Sequence, residues 1–387
     1  MSNITAIYLR NGSSARYARN HQVEYNWVDG AESLEMYRPG GYHPIVIEGT
    51  VHGRYRVVDK LGFGGYSTVW LARNIHLQHY AAVNVDISKS SLQETRHNAI
   101  PFPLDEFELN GPNGKHLCYT TTPARCNLRG VSFSRLFPLE VARALSGNLV
   151  QAIAYMHSQG YANGDIHLRS ILVKLPSSFG HLSTEQLYEQ YGESETVSIT
   201  RRDGKPLPLN IPTEAVLPLY LGKNAKEFSL SDTHMLLGDF GEAFATDLKA
   251  RKGEDCHTPL AMRPPEARFE PQAPLSYSAD IWSLAIAIWE ILGMKAILQI
   301  DVLGPLPPKW WDCWEERGQF FDAGGRRPRQ NRGNVVSTRR KTAAILDLMR
   351  RMLAFRPEDC PTAKEVLQSE WIVSWALPDL ERRSLIK

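Results

Sequence analysis

Apolar and polar positions alternate from Tyr55 to Arg73 around a glycine-bearing turn, and a second extended run follows from Tyr80 to Ile87. A period of two is that of strands with one buried face, so this stretch predicts a small β-rich lobe. Phe107-Glu108-Leu109 and His116-Leu117-Cys118-Tyr119 flank Gly111-Pro112-Asn113-Gly114, which predicts two further strands joined by a tight turn. From Pro138 the period becomes helical: Leu139, Val141, Ala142, Leu145, Leu149, Ile153 and Met156 share a face, with the proline as helix starter. Helical patterns return at Ala279 to Leu292, Thr342 to Leu353 and Ala363 to Trp371. Between Lys174 and Met235 the pattern is broken by Pro176, Pro206, Pro208, Pro212 and Pro218, and this stretch reads as an insert at about 176–234. The resulting expectation is an α+β chain: a flexible segment 1–36, a β-rich lobe 37–122, a mainly helical lobe 123–375 that includes the insert, and a tail 376–387.

Composition changes this picture little. A chain of 387 residues with 43% hydrophobic content can bury two cores. Its net charge of +2 gives no global attraction for nucleic acid or membrane. The longest apolar stretch, Ile281 to Met294, contains Ser283 and Glu290 and is too short to span a bilayer, so it predicts a buried helix. Cys118, Cys126, Cys256, Cys313 and Cys360 are scattered, with no C-x-x-C spacing. That disfavours a zinc site or a disulfide framework and fits a reducing, intracellular compartment. Arg10, Arg16 and Arg19 lack an amphipathic face and read as part of a flexible tail rather than a presequence. The acid-free run from Arg326 to Lys341 reads as a solvated loop before a nucleic-acid patch. Nothing in the pattern sets an oligomeric state.

The chemistry is concentrated in two aspartates. Gly164-Asp165-Ile166-His167 lies upstream of Gly238-Asp239-Phe240-Gly241. Phosphoryl-transfer enzymes of the kinase fold use such a pair to orient a hydroxyl nucleophile and to hold magnesium on ATP. Leu61-Gly62-Phe63-Gly64-Gly65-Tyr66-Ser67-Thr68-Val69 supplies a glycine-bearing hairpin able to admit phosphate oxygens to backbone amides, with Val69 against adenine. Leu61, Gly62, Gly64, Ser67, Val69 and Asn84 are therefore the candidate nucleotide-binding residues. Asp165, His167 and Ser170 are the candidate catalytic residues, and Asp239 and Ser170 the candidate metal ligands. Pro264-Pro265-Glu266 and Asp280-Ile281-Trp282-Ser283 have the form of the elements that close an activation segment and anchor a catalytic loop, which favours a protein kinase.

Several partners of these groups are replaced. Ala81-Ala82-Val83-Asn84 puts an amide where Val-Ala-Ile-Lys has its phosphate-neutralising lysine. Lys60 and Arg73 are the candidate substitute cations. Glu94, the natural partner of that lysine, lies on a short, weakly apolar helix ended by Pro101. Ser170 stands at the asparagine position, Gly164 at that of an arginine which reads a phosphorylated loop, and His167 at that of a lysine near the γ-phosphate. Cys360 occupies the place of the arginine that pairs with Glu266. A buried, unpaired Glu266 predicts a destabilised helical lobe.

Tyr37-Arg38-Pro39-Gly40-Gly41-Tyr42-His43-Pro44, the run from Lys60 to Arg73 and the insert between the two aspartate motifs together resemble the SR-protein kinase family. The likeness is greatest to fungal relatives with a His-Gly-Asp-Ile-His-Leu-Arg-Asn loop, and spans roughly residues 37 to 375. The resemblance implies a bilobal protein-kinase fold, ATP and Mg2+, and transfer to serine in arginine-serine-rich proteins of the cytoplasm or nucleus. It also implies Asp165 as catalytic base and Asp239 as metal ligand. The chain departs from it at Asn84, Asn163, Ser170 and Cys360, and the segment from Leu298 to Val302, near the family's docking groove, looks shortened. Three functions follow in order: a serine/threonine protein kinase of impaired activity, a pseudokinase that binds a partner, and a kinase acting on small amino-alcohols.

Overall fold

The computed structural model describes residues 24–87, 103–132, 136–246, 251–293, 307–313 and 339–385. Contacts divide the chain into two units, one within residues 1–126 and 172–223, the other Asn127–Ile171 with Asn224–Lys387. Among the described residues no helix is long and apolar enough to cross a membrane.

The first unit is built on a six-stranded antiparallel sheet. Its strands are β1 (Thr50–Val51), β2 (Tyr55–Phe63), β3 (Ser67–Asn74), β4 (Tyr80–Asp86), β5 (Asp105–Gly111) and β6 (Gly114–Thr121), in the order β1-β2-β3-β4-β6-β5. Alternation sends Trp70, Ala72, Ala81, Val83 and Val85 to one face, where they pack with Val57, Phe107 and Cys118. Leu71 and Tyr80 go to the other face and meet Phe179, Leu187 and Leu221 of the insert. The insert's helix Thr184–Tyr191 starts at a capping box between Ser183 and Gln186. Asp59, pushed up by burial, accepts from Ser194 Oγ at 2.8 Å.

The contact division differs from the expected one at two places. Residues 172–223 belong to the sheet unit, not to the helical one, because their spaced leucines and isoleucines complete apolar clusters on the sheet. Residues 24–36 are part of the fold: Tyr25, Ala31 and Leu34 are buried with Ile199, Ile211 and Ala215. The remainder of the expected flexible segment, residues 1–23, lies outside the described residues.

The second unit is helical. Leu139–Ser158 buries most of its length, and Tyr277–Ile291 buries twelve of its fifteen residues, as an apolar helix without a polar face must. The segment expected as a tail is instead helix, Leu377–Arg382, and it packs on Leu139–Ser158. There Asp379, 5% exposed, pairs with Arg143 at 2.6 Å, and the chain at Ala376 approaches Gly147 closely enough that an added Cβ would stand 3.3 Å from its backbone.

Candidate active site

In the sheet unit the glycine-bearing turn joins β2 to β3. Gly62 stands opposite Val69 and Val69 opposite Asn84, which aligns three of the expected nucleotide-binding residues across three strands, while Ser67 faces Asp86. Nothing lies within 4 Å of the place a Cβ would take on Gly62, Gly64 or Gly65, so the hairpin backbone is bare to an approaching phosphate. Leu61 differs from these: it packs on the cluster that includes the insert.

Neither candidate cation reaches Asn84. Lys60 is bonded to Glu32, with both side chains 1% exposed, and its Nζ lies 5.0 Å from the centre of the Trp70 ring. Glu32 also accepts from the Tyr37 hydroxyl. Burial pulls the Lys60 ammonium below its usual range against the opposing charge of Glu32. The Trp70 face is that of Val83 and Val85, so Asn84, between them on β4, points to the opposite face. Arg73 lies 5.6 Å from the centre of the Tyr80 ring. Its partner Tyr80 is four residues along β4 from Asn84, about 13 Å away at strand spacing. Glu94 lies outside the described residues.

In the helical unit the loop that carries Asp165 is held by Asp280, in the first turn of Tyr277–Ile291. Asp280, 1% exposed, accepts from the backbone N–H of Asn163 at 2.7 Å and of Gly164 at 2.9 Å, and contacts His157 Nε2 at 2.9 Å. Gly164 has φ +76°, and a Cβ there would stand 2.6 Å from the Glu242 carbonyl oxygen. This close approach belongs to the pairing of Tyr161–Ala162 with Phe244–Ala245, and it leaves no room for a side chain at Gly164. The Asn163 side chain accepts from the Asp165 N–H at 3.1 Å.

Asp165 Oδ2 lies 3.5 Å from His167 Nε2, while its Oδ1 is buried without a hydrogen-bond partner. The Ser170 N–H donates to His167 Nδ1 at 3.0 Å, which leaves the ring proton on Nε2, toward Asp165. Ser170 Oγ accepts from the His167 N–H at 3.2 Å and donates to the His167 carbonyl at 2.8 Å. The hydroxyl is thus engaged within its own turn. The Gly238 N–H donates to the Ser170 carbonyl at 2.8 Å and brings Asp239 to this loop. Asp239 has φ 58°, a left-handed conformation of the kind found where function sets the backbone. Burial, and then the charge of Asp165, raise its carboxyl above the usual range.

Asp239 stays raised although the charge of His167 opposes the shift, and a divalent cation beside the two carboxylates would lower it. Among the described residues no group of three or more His, Cys, Asp or Glu could hold a metal by itself. A cation here would need phosphate oxygens as further ligands, the habit of magnesium.

Among the described residues Glu242 is tied to the chain that follows it. Arg251 binds the Glu242 carboxylate and carbonyl, and His257 Nδ1 contacts Glu242 Oε1 at 2.8 Å. Thr258 Oγ1 donates to the Gly164 carbonyl at 2.7 Å, a tie to the Asp165 loop that the sequence did not disclose.

Glu266 is 5% exposed and has no ion pair among the described residues. Burial pushes its carboxyl up to about 7. Cys360, whose thiol is pushed up to about 12 by burial and then by Glu266, donates to the carbonyls of Met352 and Ala354 at 3.7 Å instead of neutralising Glu266. The folded pKa is raised, so the folded state keeps a proton that the unfolded chain loses as pH rises above the ordinary glutamate value. Stability is full below about 4.5 and falls as pH rises to about 7, by about 3 kcal/mol in all. Urea unfolding at pH 5 and pH 8 is expected to show this loss in the wild type but not in Glu266→Gln; equal slopes in both proteins would remove Glu266 as the cause. The Leu298 to Val302 segment and the basic residues from Arg326 to Arg332 lie outside the described residues, while Arg339, Arg340 and Lys341, expected in a loop, open the helix Arg339–Met352.

No protein-family model matches the chain. It is 22% identical over 393 residues to a serine/threonine protein kinase of Aspergillus fumigatus, a match covering 89% of this chain and 90% of that one. It is 32% identical over 166 residues to protein kinase dsk1 of Schizosaccharomyces pombe, covering 37% of this chain and 30% of dsk1. To SRSF protein kinase 3 of Homo sapiens it is 35% identical over 106 residues, 22% of this chain and 19% of that one. A solved kinase domain, 15% identical, superposes with a TM-score of 0.55 over 85% of this chain and 98% of that domain. The fold is that of a protein kinase, as the motifs implied.

Proposed function

We propose that this chain, a protein-kinase fold of the SR-protein-kinase type, is a serine/threonine protein kinase that transfers the γ-phosphate of ATP to protein hydroxyls, slowed by the loss of positive charge at Asn84. The observation that carries this reading is Asp165. Its loop is fixed by two hydrogen bonds to buried Asp280, and its Oδ1 is buried with no partner. A carboxylate oxygen kept unpaired on a fixed loop is prepared to accept a hydrogen bond from a substrate hydroxyl. Asp239 would hold Mg2+, which when bound neutralises the phosphate oxygens. Ser170 acts through its place in the turn, since its hydroxyl is already engaged. Gly62, Gly64 and Val69 would receive the nucleotide, and the similarity to SRSF protein kinase 3 makes arginine-serine-rich protein the first substrate to test.

A second reading, a nucleotide- or partner-binding protein without transfer, draws on one observation: Lys60 is on the face opposite Asn84 and is bonded to Glu32. The deciding experiment follows labelled γ-phosphate from Mg-ATP to an arginine-serine peptide and to a plain serine peptide, with and without chelator. Slow, chelator-sensitive transfer to the arginine-serine peptide is expected. Transfer no faster than in chelator, from a protein that still binds nucleotide, would establish the second reading.

A further inference from the structure

The tip of the glycine hairpin is gripped by a part of the chain that lies far from it in sequence. Tyr42, 4% exposed, donates its hydroxyl to the Gly64 carbonyl at 2.6 Å. The Gly64 N–H closes the hairpin onto the Ser67 carbonyl at 2.8 Å, and the Ile87 N–H donates to the Tyr66 carbonyl at 2.9 Å. At the foot of the hairpin, Lys60 is bonded to Glu32. The hairpin is therefore tied to the N-terminal segment at two points.

Tyr42 is itself immobilised. Its ring meets that of Tyr37 edge-on, with centroids 5.6 Å apart. Its carbonyl accepts from Asn113 Nδ2 at 2.7 Å, the same amide donates to the Asn210 carbonyl at 2.8 Å, and Asn210 Nδ2 donates to the Tyr37 carbonyl at 2.7 Å. The preceding Gly41 is required by space, since a Cβ would stand 1.9 Å from the Met36 carbonyl oxygen. Insert residues Ile199, Ile211 and Ala215 close the cluster around the two tyrosines. Burial, and then the charge of Glu32, push the Tyr42 hydroxyl up to about 12, so it remains a donor across physiological pH.

We propose that Tyr42 is a positioning residue for nucleotide phosphates: the N-terminal segment, fastened by the insert, holds the glycine hairpin in its phosphate-receiving shape through the Tyr42–Gly64 and Glu32–Lys60 bonds. In this chain, where Asn84 cannot form a lysine–glutamate tie, the hairpin is braced at its tip by Tyr42 and at its foot by Glu32. The inference rests on the kinase reading, because it assumes that the hairpin receives phosphates.

The test is Tyr42→Phe in the full chain, which keeps the ring and removes one hydroxyl. Calorimetric titration with Mg-ATP and with adenosine separates the two halves of the ligand. Loss of one hydrogen bond that shapes the site is expected to weaken Mg-ATP about three- to tenfold and to leave adenosine unchanged. Equal weakening of both, or no change in Mg-ATP, would overturn the proposal. A wild type that binds neither ligand would sink the kinase reading. In that event hydrogen exchange at the amides of Gly65, Tyr66 and Ser67 still decides the brace: faster exchange in Tyr42→Phe supports it, and equal exchange refutes it.

Discussion

Alanine in place of Asp165 is expected to slow phosphate transfer by about 10²- to 10⁴-fold, the usual range for a positioned acid–base group, with no loss of thermal stability. The two halves of this expectation come from the same atom. Asp165 Oδ1 is buried without a hydrogen-bond partner, and Asp165 raises the neighbouring Asp239 carboxyl through its charge. A group held in this way is costly to the fold, so truncating it removes an unmet demand that offsets the lost contact with His167 at 3.5 Å. Most substitutions of buried residues lower the melting temperature. Here the melting temperature should stay level or rise while kcat collapses, and nucleotide affinity should be little altered. Single-turnover transfer and thermal unfolding on the same preparations check both. A variant that keeps the wild-type rate would move the hydroxyl-orienting role elsewhere, and one that loses activity and stability together would make Asp165 a structural residue of its loop.

The candidate residues that were legible in sequence are those whose physics is local. Asp165, Asp239 and the glycines of the hairpin are set by short motifs, and the anchoring helix at Asp280 is readable because an apolar run opening on an acid has few other uses. The parts it concealed depend on contacts between distant segments. Glu32 is an ordinary acid in a polar stretch, and nothing near it in sequence says that it meets Lys60 at 1% exposure. Tyr42 lies in a recognisable Gly-Gly-Tyr motif, but its contact with Gly64 spans 22 residues. The insert misled for the same reason. Its prolines marked it as a separator, whereas the residues that decide its place, Leu187, Ile199, Ile211 and Leu221, are too widely spaced to show a period. Gly164 was visible as a missing arginine, yet the Glu242 carbonyl, 2.6 Å from where a Cβ would stand, approaches it only once the two short strands pair.

Neither Lys60 nor Arg73 supplies the charge that is missing at Asn84. Asn84→Lys is expected to raise the rate of transfer by up to about 10²- to 10³-fold, the range measured when one preorganised electrostatic contact is removed elsewhere. The strand register places residue 84 beside Val69, in the row that includes Gly62. A lysine there would extend from the face that Lys60 does not share, so it would neither compete for Glu32 nor be neutralised by it. The gain should fall short of the full range if the turn at Ser170 also limits the reaction, because groups that act as a unit do not contribute independently. Measuring kcat and nucleotide affinity together separates these cases. A large rise in kcat shows that the charge at this position was the chief deficit. Tighter Mg-ATP binding with an unchanged kcat shows that the lysine reaches the phosphates but that transfer is limited at the catalytic loop, where Ser170→Asn in the same background becomes the informative change. If neither quantity moves, residue 84 does not face the phosphates, and the row formed by Gly62, Val69 and Asn84 is not the nucleotide floor.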